Sequence, residues 1–171
     1  MPGTPLPDAE QLLKALTDQM RPEVGPETGL IGIHTGGVWL AQRLHRDLKL
    51  KVPLGTLDVS FYRDDYEKIG LHRDVKTSDI PFEVEGRHLI LVDDVLYTGR
   101  TIRAAMNELF DYGRPASIRL AALVDRGGRE LPVAAQFLGA PITVAPNHNI
   151  ELKRDSDGRL SLALSEDQHV A

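Results

Sequence analysis

Residues 89–101 read LILVDDVLYTGRT. Four apolar side chains lead into two adjacent carboxylates, Asp93 and Asp94, and after Val95, Leu96 and Tyr97 the chain breaks into Thr98, Gly99, Arg100 and Thr101. LILVDD reads as a strand, and Ile102, Ala105, Met106 and Leu109 behind it follow helical spacing, with Gly113 as a stop signal. A strand feeding directly into a helix is the first half of a parallel crossover unit, which narrows the possible folds sharply.

The same rhythm recurs on both sides of this stretch. Pro2, Pro5 and Pro7 make residues 1–7 a loose leader, and Asp8 with Gln11 has capping-box spacing ahead of Leu12, Leu13, Leu16 and Met20, which predicts an amphipathic helix. After a loop at Gly25 and Pro26, the residues Leu30, Ile31 and Ile33 read as a short buried strand ending in Gly36 and Gly37. Val38, Leu40, Ala41, Leu44 and Leu48 return to helical spacing, and Leu57, Val59 and Phe61 alternate as a strand does. Residues 62–80 are polar and lack sustained periodicity, so a flexible excursion is expected there. SIRLAALVD reads as the next strand, and beyond LVDRGGRELP the signals weaken until IELK and RLSLAL flank DSDG, the pattern of a terminal hairpin and tail over 149–171.

Strand, helix, strand, excursion, strand, helix, strand predicts an α/β fold with a mainly parallel central sheet flanked by helices. With 171 residues the chain is long enough for one good core and too short for two ordinary domains, so a single domain over 1–171 is expected. In such folds ligands gather at the carboxyl ends of the strands.

Composition removes several classes of function. The net charge of -5 gives no global polycation field, so any nucleic-acid role has to rest on a local basic patch. The absence of cysteine removes disulfides, thiolate metal sites and cysteine nucleophiles, and fits a reducing compartment, the cytoplasm. The N-terminal MPGTPLPDAEQ has no apolar core of a signal peptide, and no run approaches the roughly 18 apolar residues of a membrane span. His34, His45, His72, His88 and His148 show no zinc-site spacing such as H-E-x-x-H.

The junction at 93–101 can hold two opposite charges. Free N–H groups at the start of the helix favour a phosphate, Gly99 lets it approach, and the hydroxyls of Thr98 and Thr101 can donate. The carboxylates of Asp93 and Asp94 can accept hydrogen bonds from sugar hydroxyls or draw in Mg2+. A phosphorylated sugar meets both requirements. An acidic strand end with a plain Thr-Gly helix cap is the simpler alternative. A signalling receiver domain also ends a strand in two carboxylates, but its pair belongs near the start of the domain, and here about ninety residues precede it. A dinucleotide-binding domain is disfavoured, since no G-x-G-x-x-G follows any predicted strand.

LILVDDVLYTGRT closely resembles the signature by which type I phosphoribosyltransferases bind 5-phosphoribosyl diphosphate (PRPP). LIGIHTGGVWLAQRL, LDVSFYRDD and LAALVDRGGRELP also resemble, in order and spacing, segments of the PyrR family, pyrimidine (pyr) operon attenuation regulators that are also uracil phosphoribosyltransferases. The four segments together span roughly residues 30 to 133. The resemblance implies the type I phosphoribosyltransferase fold with a flexible hood loop, a glycosyltransferase reaction that converts uracil and PRPP to UMP and pyrophosphate, and Mg2+ as cofactor. It implies that Asp93 and Asp94 hold the ribose hydroxyls or the metal and that Thr98, Gly99, Arg100 and Thr101 bind the 5'-phosphate, within a nucleotide site running from Val92 and Val95 through Tyr97. His34, Thr35, Gly36 and Gly37 match the pyrophosphate loop, where the family sometimes has a non-proline cis peptide. Val124, Asp125 and Arg126 match the segment covering the uracil ring, and Arg63 and Arg73 in the hood are candidates to reach the phosphates.

Where purine-using relatives commonly carry a carboxylate, this chain has Tyr97, so a purine substrate is not expected and weak activity is compatible. For a regulator, the resemblance implies UMP-dependent binding of a pyr messenger-RNA leader and an assembly of at least a homodimer. The cations available for RNA are Arg126, Arg129 and the run RLHRDLKLK, which also suits the wet face of a helix. Two departures weigh against an RNA face and a full set of leaving-group contacts: Gly128 stands where RNA-binding members have His, and the loop lacks the Arg those members often place between Thr35 and the last glycine. A nucleotide-sensing regulator with little or no catalysis is the alternative reading.

Overall fold

Asp8 sets where the first helix begins: its carboxylate accepts the N–H of Glu10 at 2.9 Å, and α1 runs Ala9–Met20 with Leu12, Leu13, Leu16 and Met20 buried along one face. The computed structural model describes residues 5–59 and 78–166. β1 (Gly29–Ile33), buried over its whole length, leads into α2 (Gly36–Asp47) and then β2 (Gly55–Leu57). β3 (His88–Leu96), α3 (Arg100–Phe110) and β4 (Ser117–Asp125) repeat the strand, helix, strand unit. β5 (Phe137–Pro141), β6 (His148–Arg154) and β7 (Leu160–Glu166) follow.

Among the described residues, five strands join in the order β2-β1-β3-β4-β5 with every neighbouring pair parallel, and β6 and β7 form a separate antiparallel pair. This is the parallel α/β architecture that the alternation of strands and helices predicts. Successive residues of the central strands bury opposite ways, as the two-residue strand period requires. Leu30, Ile90, Val92, Ala121 and Leu123 pack with α1, α2 and the hairpin residues Ile150, Leu152 and Leu160. Ile31, Ile33, Leu89, Leu91, Leu120 and Ala122 pack with Ile102, Ala105 and Leu109 of α3. Both faces of the sheet are therefore covered, which is why these strands read as continuous apolar runs.

Two elements differ from the pattern read in the sequence. The strand expected over Leu57, Val59 and Phe61 pairs with β1 only as far as Leu57; Val59 stays buried, but the Asp58 N–H turns to the Ser78 hydroxyl at 2.9 Å, and Phe61 lies outside the described residues. β5 was not legible, because FLGAP carries a glycine and a proline and only Phe137 in it is buried. Gly139 is required there, since a Cβ would fall on the Leu123 carbonyl of the neighbouring strand. The excursion expected at 62–80, with Arg63 and Arg73, lies outside the described residues up to position 77.

Candidate active site

The sheet order reverses between β1 and β3, which lie side by side although α2 leaves β1 on one face and α3 leaves β3 on the other. The carboxyl ends of two such strands diverge and open a crevice, the general location of ligands in open α/β sheets. The chain places Ile33 to Gly37 at one lip and Asp93 and Asp94 at the other.

The ladder around β3 is lopsided at this point. On the β1 side pairing ends at Gly32 with Val92, whereas on the β4 side it passes Asp93 with Ala122, skips Asp94 and resumes through Leu96 with Asp125. The acidic pair thus rides on a strand still held along one edge while its other edge faces the crevice. Asp93 is buried and its Oδ1 accepts the Asp94 N–H at 2.9 Å; Asp94 Oδ1 accepts the Val95 N–H at 2.8 Å. These local bonds fix both carboxylates at the strand end.

At the opposite lip, the His34 N–H donates to the Leu57 carbonyl at 2.9 Å, the peptide between His34 and Thr35 is cis, and the backbone carbonyl of Thr35, at the start of α2, accepts the Val38 N–H at 3.1 Å. Gly36 and Gly37 open the helix against β3. A Cβ at Gly36 would fall on the Asp94 carboxylate, and one at Gly37 on the Val92 carbonyl. The glycine pair is therefore more than a turn signal: it brings the N-terminus of α2 against the acidic pair, so that a ligand bound by one lies beside the other.

Downstream of the carboxylates, Gly99 caps α3 at φ 93°, with Val133 3.2 Å from where a Cβ would stand. Thr98 Oγ1 accepts the Arg100 N–H at 3.2 Å, and the Thr98 carbonyl accepts the N–H groups of Glu130 and Leu131 at 2.9 and 3.1 Å. The Arg100 guanidinium turns to Glu130 at 2.7 Å, so in this conformation it faces a carboxylate beside the turn.

Val124 is fully buried and carries β4 to the base-side segment. Asp125 is clamped there: Arg129 donates to its Oδ1 at 2.9 Å, and the Gly127 N–H donates to the same oxygen at 2.9 Å. The Arg129 guanidinium holds the Asp125 carboxyl below the usual carboxylate range, against the opposing effect of burial, and Asp125 in turn raises the pKa of Arg129. Arg129 also donates to the carbonyls of Tyr97 at 2.8 Å and Val133 at 2.7 Å. Arg126 lies over the Tyr97 ring, its guanidinium carbon 4.0 Å from the ring centre.

The structure thus brings Gly36 and Gly37 against Val92 to Asp94, and Arg126 onto Leu96 and Tyr97, at the carboxyl ends of β1, β3 and β4. Sequence reasoning missed Arg129 and Glu130 as the residues that bind the base-side segment to the turn at 97–100. The spacing of Asp125 and Arg129, four residues apart, was the available signal. In the run RLHRDLKLK, Arg43 is engaged with Glu10 at 2.6 and 3.1 Å, Arg46 with Asp47 at 3.0 Å, and His45 with the Val52 carbonyl at 2.8 Å. Among the described residues no cluster of three or more His, Asp or Glu could hold a metal ion unaided, and no helix is long and apolar enough to cross a membrane.

Residues 6–147 match the phosphoribosyl transferase domain family. The fold resembles that of a hypoxanthine phosphoribosyltransferase from Staphylococcus aureus, with TM-score 0.63 and 18% identity over 80% of this chain and 76% of that one. It also resembles the hypoxanthine phosphoribosyl transferase of Trypanosoma cruzi, with TM-score 0.62 and 24% identity over 83% and 79%. Sequence relatives are far nearer. The bifunctional protein PyrR of Nitrosococcus oceani is 54% identical over 143 residues, 82% of this chain and 81% of that protein. The bifunctional protein PyrR of Pseudomonas entomophila is 52% identical over 151 residues, 86% and 88% of the two chains. With its sheet order, its glycine loop against an acidic pair and these relatives, the chain belongs to the PyrR family of phosphoribosyltransferases.

Proposed function

We propose that this chain is a uracil phosphoribosyltransferase of the PyrR type, converting uracil and PRPP to UMP and pyrophosphate. The observation that carries the reading is the approach of Gly36 to the Asp94 carboxylate, with the Thr98 to Thr101 turn on the same strand's exit. An anion loop, a hydroxyl acceptor and a second anion turn within one crevice suit a sugar that carries phosphate at one end and pyrophosphate at the other.

In the reaction, the bond from C1 of the ribose to pyrophosphate breaks with its electron pair leaving on the pyrophosphate, the bond from C1 to N1 of uracil forms, and the N1 proton is lost. Positioning and electrostatics supply most of the catalysis. Asp93 and Asp94 hold the ribose hydroxyls, the loop at His34 to Gly37 presents N–H groups to the leaving group, and the turn at Thr98 to Thr101 anchors the 5'-phosphate. Tyr97 offers no carboxylate, so the weakly acidic N1–H of uracil is the proton that has to leave without one.

The donor set fits Mg2+: two hard carboxylates at a crevice mouth, too few to cage an ion alone, are what an ion shared with substrate oxygens requires. Asp93 and Asp94 would hold it, and when bound it supplies charge neutralisation on the departing pyrophosphate. Arg63 and Arg73 are proposed to reach the phosphates from the hood. A cytoplasmic site of action fits the cysteine-free composition.

The regulatory half of the reading, UMP-stimulated binding of a pyr messenger-RNA leader, is supported by membership of the PyrR family. Catalysis ranks first because Arg129, Arg43 and Arg46 are each engaged within the chain. Purified protein given uracil, PRPP and Mg2+ should form UMP. No UMP beside an active control transferase would sink the enzymatic reading, and salt-dependent leader binding strengthened by UMP would raise the regulatory one.

A further inference from the structure

The terminal hairpin lies outside the segments that suggested a function, yet Asn149 on β6 reaches the base side of the crevice. Arg126 donates from Nη1 to the Asn149 side-chain oxygen at 3.3 Å, while its own N–H donates to the Leu96 carbonyl at 3.0 Å. With backbone and guanidinium both held, the guanidinium lies across the Tyr97 ring at 4.0 Å. The ring is confined from a second direction by Gly128: at φ 76° this glycine lets its Cα pack against Tyr97, and a Cβ would strike the ring. The Tyr97 carbonyl is pinned by Arg129 at 2.8 Å. Tyr97 is nevertheless 45% exposed, so the restraint leaves part of the residue open.

We propose that Asn149 is a positioning residue for the nucleobase: it holds Arg126 flat on Tyr97, and the fixed stack forms one wall of the uracil subsite. The inference rests on the uracil phosphoribosyltransferase reading and deepens it. In this conformation a Cβ at position 128 would strike the Tyr97 ring, so Gly128 leaves the stack undisturbed. An exposed guanidinium over an aromatic ring has a modest effect when alone, so the consequence of losing its anchor is a change in base affinity with the phosphate contacts intact.

The test is a kinetic series with uracil and PRPP varied independently, joined to calorimetric titration of UMP, which needs no turnover. Asn149→Ala should raise the KM for uracil and the Kd for UMP about threefold to fivefold, the size of an exposed cation–π contact, with the KM for PRPP unmoved. Asn149→Asp, which keeps an acceptor for the guanidinium, should return both values toward wild type. Arg126→Met should reproduce Asn149→Ala, and the double variant should be no worse than either single one. The inference is overturned if Asn149→Ala leaves uracil and UMP affinity unchanged, if it weakens PRPP equally, or if Asn149→Asp fails to rescue. Active wild type with such variants overturns this inference alone, whereas wild type that neither makes UMP nor binds it overturns the enzymatic reading as well.

Discussion

Arg129 and Asp125 stand four residues apart, and the guanidinium that grips the carboxylate at 2.9 Å also donates to the carbonyls of Tyr97 and Val133. One side chain therefore ties the end of β4, the exit of β3 and the loop that follows Gly128 into a single unit.

Removing that unit's centre should cost both stability and base binding. Arg129→Met leaves the partly buried Asp125 carboxylate with the Gly127 N–H in place of its charged partner and takes the guanidinium from two carbonyls, so a loss of about 1 to 3 kcal/mol is expected from chemical denaturation. The kcat/KM for uracil should fall about tenfold or more, because the wall against Tyr97 loses its anchor. Arg129→Lys keeps the charge but not the fork of donors, and an intermediate result is expected. Wild-type stability in Arg129→Met would contradict this account.

Glu10 and Arg43 give the fold an acid-sensitive joint. The side-chain hydrogen bonds from Arg43 are the largest cause lowering the Glu10 pKa from 4.5 to about 2, and the Leu160 N–H adds to it at 2.8 Å. A depressed carboxylate stabilises fully above its unfolded pKa and loses that contribution as pH falls through the folded value. The joint should therefore be at full strength above about pH 5 and fade toward pH 2, and its size is on the order of 3 kcal/mol. Glu10→Gln should destabilise the chain near neutrality and converge with wild type in acid; parallel stability curves across that window would refute the joint.

Gly36→Ala tests the contact between the loop and the acidic pair. A methyl group there meets the hydrogen-bonded Asp94 carboxylate, so the KM for PRPP should rise about tenfold or more and the melting temperature should fall as that carboxylate is displaced. Gly25→Ala, with open space around its Cβ, should leave both unchanged. Equal kinetics in the two variants would mean that Gly36 is only a helix start.

Asp93→Asn and Asp94→Asn keep size and most hydrogen bonding while removing charge. Each should lower kcat/KM by about a hundredfold, the scale of losing one preorganised electrostatic contact, and should raise the Mg2+ concentration needed for half-maximal rate. Variants with unaltered Mg2+ dependence would remove the carboxylates from the metal-holding role.

Much of this was legible beforehand because the informative residues obey strong local rules. Leu30, Ile31, Leu89 to Val92 and the apolar residues of 120–124 are buried on both sheet faces, so their continuous hydrophobicity announced parallel strands. The signature around Asp93 to Thr101 and its companions pointed to the PyrR family, to which the chain belongs. What stayed hidden depended on partners remote in sequence. Gly139 and Pro141 spoil the strand pattern of β5, and the glycine is determined by the neighbouring backbone rather than by local preference. Gly128 read as a missing cation, yet its reason is the Tyr97 ring, and Asn149 carries no pattern that could announce Arg126.

The unequal ends of the β3 ladder have one more consequence. Released at Val92 on one edge and still fastened through Leu96 on the other, the acidic segment behaves as a cantilever whose tip faces the crevice. Its backbone entropy is lost when the sheet forms and not again when a ligand arrives. Amide hydrogens along 93–96 that face β4 should accordingly exchange as slowly as those of the sheet interior, with or without ligand, so that recognition at these aspartates is rigid from the outset.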